Sequence, residues 1–552
     1  MLYTNQIKTF VLAVVALLPV ATWGQTDITT EEALRQAITD ASADATTVTL
    51  TADITLTADG RLTIDAGKDI TLDLNGHSIT STTDCVIINN GKLTVKDDSE
   101  SKAGAIIATK YQGIAMGNSS TTVIESGNIT AVEGCVITDK SCGATLTITG
   151  GTFTCTDNAV IAGNGSSKFP DGTLRETPNT ITISGGTFNG QIKSAGYVAC
   201  GIYCPWKDNV TVSGGTFNIT GGAGIVSRSG TVTVTGGTFN CTGKVTGKVG
   251  DSRVVVPCSP VVFDSEAAYP TMSDESKIEI SGGTFTAENG IAPVAVLAVA
   301  DATEQRVEIS GGSYSAPVSQ EYCKEGFTTA QNADGTYGVS STFTVSDGKP
   351  LSISSTDDFT VTTATYIREM PAGTEWGTVC LPFNIKSTEE VPLYTINRID
   401  NGVLYLDEKT EAEAGTPVIF HATGTSVTFT TTNARVKGAS PKAEGSLAGT
   451  YTDLVITDNL GSIYYINSDA FHQAKASLRV PAYRAYIIYN KVQGAKPSVL
   501  FIGDATTGIE ETGIAPATTK AYYSVGGVRR SAAVRGLNIV RLSDGRTIKV
   551  VK

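Results

Sequence analysis

Histidine is nearly missing from this chain of 552 residues: only His77, His421 and His472 occur, far apart in sequence. A zinc site is hard to assemble from such a set. No two of the ten cysteines have CxxC spacing, which removes the usual thiol redox and zinc-knuckle signatures. Charge is scarce at 17% of residues, and its balance is acidic, with a formal net charge of −13. That argues against a long basic face, so no nucleic-acid partner is expected. Apolar runs are confined to Phe10–Val20, shorter than the roughly 20 residues that span a bilayer. Helical periodicity is confined to Thr29–Ala41.

What is present is β-forming. Hydrophobic residues make up 40% of the chain and glycine numbers 58, enough apolar material for real cores and ample residues for tight corners. Thr and Ser crowd the first two thirds, and Thr suits a pleated surface. Residues 1–24 carry Lys8, the apolar run and then Ala21-Thr22-Trp23-Gly24. This reads as a signal peptide cleaved after Gly24; the alternative is a membrane anchor, for which the run is short. No Cys at the cleavage region supports a lipid anchor. Residues 25–44 are expected to hold a capping helix, with Thr29 and Glu32 as a capping box and Leu34, Ala37, Ile38 and Ala41 on one face. Such a helix would cover the open end of a β-solenoid and block edge pairing.

A repeat follows. Thr149-Gly150-Gly151-Thr152-Phe153 recurs at Ser184–Phe188, Ser213–Phe217, Thr235–Phe239, Ser281–Phe285 and Ser310–Tyr314, with a weaker copy at Ser126–Ile129. Alternating strands precede the corners, as in Leu146-Thr147-Ile148 and Val232-Thr233-Val234, and short Gly-Ile strands open many coils. Counted on the second Gly, the intervals are 24, 35, 29, 22, 46 and 29 residues. Fixed corners with variable insertions describe a solenoid whose loops emerge from one region. Roughly ten coils between residues 45 and 335 would give a rod of about 50 Å. The ring after each corner should return inward, so that Phe188, Phe217 and Phe239 stack. Cys155 and Cys241 would then lie three coils, roughly 14 Å, apart, too far for a disulfide, which needs Cα atoms within about 7 Å.

This repeat, with Leu72-Asp73-Leu74-Asn75-Gly76-His77-Ser78-Ile79, resembles the pectin-lyase-like superfamily of right-handed parallel β-helices over about 290 residues. The fold expected is all-β: a right-handed parallel β-helix over 45–338, β-sandwich module(s) over 339–505, a linker over 506–519 and a small β domain over 520–552. The second module is marked by Trp376–Phe383, Glu413–Val418 and Val480–Tyr486, a pattern that resembles an accessory module of secreted surface proteins, and by the turn signal Asn401-Gly402. The tail holds eight Lys or Arg against Asp544 alone. Tyr522–Val528, Arg535–Val540, the Asp544-Gly545 turn and the terminal Lys resemble the C-terminal sorting domain of type IX secretion cargo. Its Ser524-Val525-Gly526 departs from that pattern, and an ordinary β-module is the alternative.

These features imply an exported protein, at the cell surface or extracellular. Acids such as Asp264, Glu266, Asp274, Glu275 and Asp301 fall in insertions and form no repeating array, so no catalytic residue, metal or cofactor is expected. Binding is the favoured role: an adhesin or glycan-binding protein, with an extracellular glycan or host surface protein as partner and the type IX machinery as a second. The candidate contact residues are Tyr203, Trp206, Lys207 and Asp208, where aromatic rings can stack on sugars and polar groups can bond hydroxyls. A polysaccharide lyase or glycoside hydrolase of the β-helix type is the alternative, and a passive spacer the third reading.

Overall fold

The computed structural model describes residues 28–551 apart from 58–59, 139–141, 164–172, 174–176, 192–199, 206, 244–255, 265–275, 289, 298–305, 333, 352–357, 439, 491–495, 504–518, 525–526, 536 and 543–546. Residues 1–24, expected to be a signal peptide, and most of the expected linker lie outside the described residues. No described helix is long and apolar enough to cross a membrane.

The first body is a right-handed parallel β-helix. Each coil contributes one strand to each of three sheets in fixed rotation. The first sheet holds ten strands, from Thr46–Thr49 to Val307–Ile309. The second holds ten parallel strands, from Ile54–Thr55 to Ser313–Tyr314, and the third holds nine, from Leu62–Ile64 to Val294–Leu297. Alternation decides which side chains turn inward, because successive residues of a strand face opposite ways. Ile181, Val210, Val232 and Ile278 therefore stand in one buried column, with Thr182, Thr211, Thr233 and Glu279 beside them on the outside.

The repeated corner has a separate job for each glycine. The second Gly adopts a left-handed φ, +93° at Gly215 and +97° at Gly237, which costs an L-residue strain. The first Gly admits the neighbouring coil: a Cβ at Gly214 would lie 2.2 Å from the Ser184 carbonyl oxygen. The aromatic two residues on then turns into the core. Phe153, Phe188, Phe217, Phe239, Phe285 and Tyr314 form one continuous stack with ring centroids 4.4–5.3 Å apart. Gly201 and Gly224 make room for it, since a Cβ at Gly201 would meet Phe217 Cδ1 at 2.8 Å and one at Gly224 would meet Phe239 Cδ1 at 3.0 Å. Cys155 and Cys241 stand at one register position three coils apart, as the spacing predicts. All ten thiols are free, and nine are buried.

Both ends of the rod are closed. The helix Glu31–Asp40 lays Leu34 and Ile38 on the first coil. Its N-cap is Thr30, whose side chain accepts from Ala33 N, one residue later than the capping box read from Thr29 and Glu32. The hairpin Thr328–Gln331/Tyr337–Ser340 adds antiparallel to the last strand of the second sheet and packs Val339 on its end. In the Leu72–Ile79 phrase, Asn75 and Gly76 make the corner with positive φ, and the buried Asp97 accepts from the Gly76, Ser99 and Gly104 amides.

The second module is a sandwich with a curled sheet. Three strands, Thr342–Ser346, Phe359–Glu369 and Ser426–Val436, cover a ten-stranded sheet running from Trp376–Val379 to Ala443–Glu444. Asn401-Gly402 makes the expected hairpin turn, both residues having positive φ. The three sequence motifs converge: Trp376–Val379 pairs with Val418–His421, and Thr378 Oγ1 donates to the Ala485 carbonyl at 2.9 Å while accepting from the Ala485 amide. Arg484 and the Tyr366 hydroxyl both bond Asp347, tying the covering strands to the main sheet. The tail is a four-stranded antiparallel sheet over Thr519–Val551; Gly536 and Asp544-Gly545 lie outside the described residues.

Candidate functional site

The parallel register fixes where loops can leave the rod. Segments 164–178, 265–275 and 298–305 each follow a strand of the third sheet and precede one of the first. Their anchor points therefore lie along a single edge, as the sequence expects of comparable insertions, but segments 192–199 and 243–260 connect the second sheet to the third, so the loops do not all emerge from one region. The short connection between Cys200–Cys204 and Asn209–Val212 leaves from the same edge.

The candidate contact residues divide between this connection and the strand before it. Lys207 is half-exposed, and Trp206 lies outside the described residues. Tyr203 and Asp208 are buried, and so differ from the exposed groups the sequence suggested. Tyr203 is a strand residue, level with Ala162 and Val226. Its ring sits on the outer face of the third sheet, and its hydroxyl accepts from Arg228 Nη1 at 2.8 Å. Asp208 Oδ1 accepts from Asn179 Nδ2 at 3.0 Å, and Asn179 Oδ1 in turn accepts from the Ala144 amide. A carboxylate so held braces three coils against one another.

Arg228 was not singled out from sequence. It follows Ser227, which is level with Phe263, so register places Arg228 beside Asp264. The two form an ion pair with Nε 3.1 Å from Oδ2, both fully buried. Sequence does not reveal the pair, because Arg228 sits between two serines, Asp264 stands at the start of an insertion, and Pro260-Val261 opens its strand in place of a Gly-Ile run. Around it, Ala159, Cys200, Ala223, Val226, Val256 and Val262 form a second apolar layer outside the rod's core. This stretch of the third sheet is thus buried on both faces.

The other two sheets present neutral polar ladders outward. Thr145, Thr180, Asn209 and Thr231 are in register on the first sheet. On the second, Asn189, Asn218 and Asn240 hydrogen-bond coil to coil at 3.0–3.1 Å. One carboxylate pair does stack, Glu279 against Glu308, which the sequence reading of scattered acids did not anticipate. Each has its own cation: Lys277 holds Glu279 and Lys324 holds Glu308. Among the described residues no three His, Cys, Asp or Glu side chains are grouped to hold a metal.

In comparisons with known proteins, no family model and no curated relative matches the chain.

Proposed function

We propose that this is an exported surface protein that binds glycans or host surface proteins through the edge between its third and first sheets. What supports the reading most directly is the placement of that edge: three insertions and the connection from Cys204 to Asn209 are anchored along it. A rigid rod carrying variable loops along one line suits recognition, because the scaffold fixes the loops while their sequences vary. The ladder of Thr145, Thr180, Asn209 and Thr231 on the first sheet beside that edge offers donors and acceptors without net charge, which suits a hydroxyl-rich partner. The leader supports passage out of the cytoplasm. The basic tail supports delivery by type IX secretion, in line with its resemblance to that sorting domain, and the rod's repeat supports the pectin-lyase-like kinship.

The test is a glycan and host-protein binding screen on the chain lacking residues 1–24. Specific binding that weakens on Trp206→Ala, with the melting curve unchanged, is the expected result. A second reading, carbohydrate cleavage, rests on the stacked Glu279 and Glu308, since paired carboxylates are the usual machinery of glycoside hydrolysis. Release of reducing ends from acidic polysaccharides, abolished by Glu279→Gln, would establish that reading over binding alone.

A further inference from the structure

The second module contains an unassigned cleft of about 390 Å3 at the strands Ile463–Asn467, Ala470–Gln473 and Val499–Ile502. That volume lies in the range of small-molecule sites. Tyr464, Phe471 and Leu500 turn into the module's core. Strand alternation therefore sends their neighbours Tyr465, His472 and Val499 to the opposite face. Those three are level with one another across the sheet, Tyr465 opposite His472 and His472 opposite Val499. The Tyr465 and His472 rings lie 6.3 Å apart, and a bond from His472 Nε2 to the Asn467 carbonyl oxygen, 3.1 Å, holds the imidazole. The result is a half-buried aromatic and aliphatic floor. Ala474–Leu478 forms one wall, and Gln473, Lys475 and Ser498 bring polar groups to the rim.

The charge of the cleft is its distinguishing property. Among the described residues ten line it; none of these is acidic, and Lys475 is a cation. In a chain with a net charge of −13, a hollow whose described lining has no carboxylate and carries an ammonium is complementary to an anion. The flat floor suits the carbon face of a pyranose ring, and the rim suits its hydroxyls. We propose that this cleft binds one acidic monosaccharide unit, a sugar ring bearing a carboxylate, with the ring over Tyr465 and His472 and the carboxylate toward Lys475. The proposal rests on the glycan-binding reading above but places a site on a different module.

The test uses the full chain without its leader and three probes: methyl glucuronide, N-acetylneuraminic acid and methyl glucoside. The first two distinguish a uronate within a polysaccharide from a terminal nine-carbon acid. Calorimetry and saturation-transfer NMR should show at least one acidic sugar binding about tenfold or more tighter than the neutral one. Lys475→Gln, an exposed loop change that leaves the fold intact, should erase that preference, and Tyr465→Ala should remove binding of every probe. Equal affinity for neutral and acidic probes, no binding of either acid, or a preference unchanged by Lys475→Gln would overturn the proposal. Glycans found in the wider screen that bind equally to the Lys475→Gln and Tyr465→Ala variants would leave the edge reading standing while this one fails.

Discussion

Arg228 and Asp264, 36 positions apart in the chain, meet with Nε 3.1 Å from Oδ2 on the outer face of the third sheet. Both are fully buried, and Tyr203 adds a hydroxyl to the guanidinium. Removing one partner strands the other charge away from water, which typically costs about 3–5 kcal/mol. Arg228→Met and Asp264→Leu should each lower the unfolding free energy by about that much. The double variant should recover most of the loss, because two apolar groups of similar volume leave no buried charge. Urea denaturation of the three variants checks this; additive losses would show that the pair is not coupled.

The aromatic stack predicts a second outcome. Phe217 lies between Phe188 and Phe239 with centroids 4.4 and 4.5 Å away. Phe217→Ala should cost about 3–5 kcal/mol, and Phe217→Leu clearly less. A thermal melt that Phe217→Ala leaves unchanged would contradict the buried position of the ring.

Glycines inside and outside the Gly-Gly corners give a graded test. At Gly214 a Cβ would meet backbone at 2.2 Å, whereas at Gly290, with φ +72°, nothing lies within 4 Å. Gly290→Ala should cost only the left-handed strain, about 1–2 kcal/mol. Gly214→Ala must push two coils apart and should cost distinctly more. Differential melts of the two variants decide the order.

Asp97 links stability to acid. Burial pushes its carboxyl up, but the bonds from Ser99, Gly104 and Gly76 outweigh burial and hold it below the usual carboxylate range. A group depressed in the folded state stabilises above its unfolded pKa, and that contribution is lost as pH falls through the folded value. Unfolding free energy should therefore drop as pH falls below about 4. Asp97→Asn should be destabilised at pH 7 by about 1–3 kcal/mol and show a shallower acid limb in the same titration.

Delivery can be tested apart from folding. A chain ending at Thr518 should keep the melting behaviour of the rod and sandwich but remain in the periplasm. The full chain should reach the surface or medium and lose residues from about 520 onward. Fractionation with mass spectrometry of the C-terminus reads both. Equal export of the two versions would make the basic tail an ordinary β-module.

The rod was legible because its signal is periodic and local. Phe188, Phe217 and Phe239 stack because each follows the same Gly-Gly corner, and the separation of Cys155 from Cys241 follows from counting corners. What was hidden depends on the other face of a sheet. Tyr203 alternates outward in its strand and would be exposed on an isolated rod, but the central third sheet is covered on its outer side, so the ring is buried. Asp264 looked like a solvated loop acid for the same reason, and Arg228 carried no signal of its own. The helix start at Thr30 instead of Thr29 reflects two adjacent threonines that are equally good caps by type, a choice local composition cannot make. The cleft at Tyr465 and His472 was beyond reach, since its floor is assembled by cross-strand register between segments whose pairing the sequence does not reveal.

Register in this rod is renewed at every corner, and that makes the coil a unit of inheritance. The strands starting at Thr180, Asn209 and Thr231 present equivalent positions to one another. A deletion running from one corner to the next would let Thr180 meet Thr231 without moving any side chain to the wrong face. Gene duplication or loss in steps of one coil would thus change only the height at which each loop is held, leaving the two end caps to fit the new neighbours they receive. The protein can be lengthened or shortened like a ruler cut at its graduations.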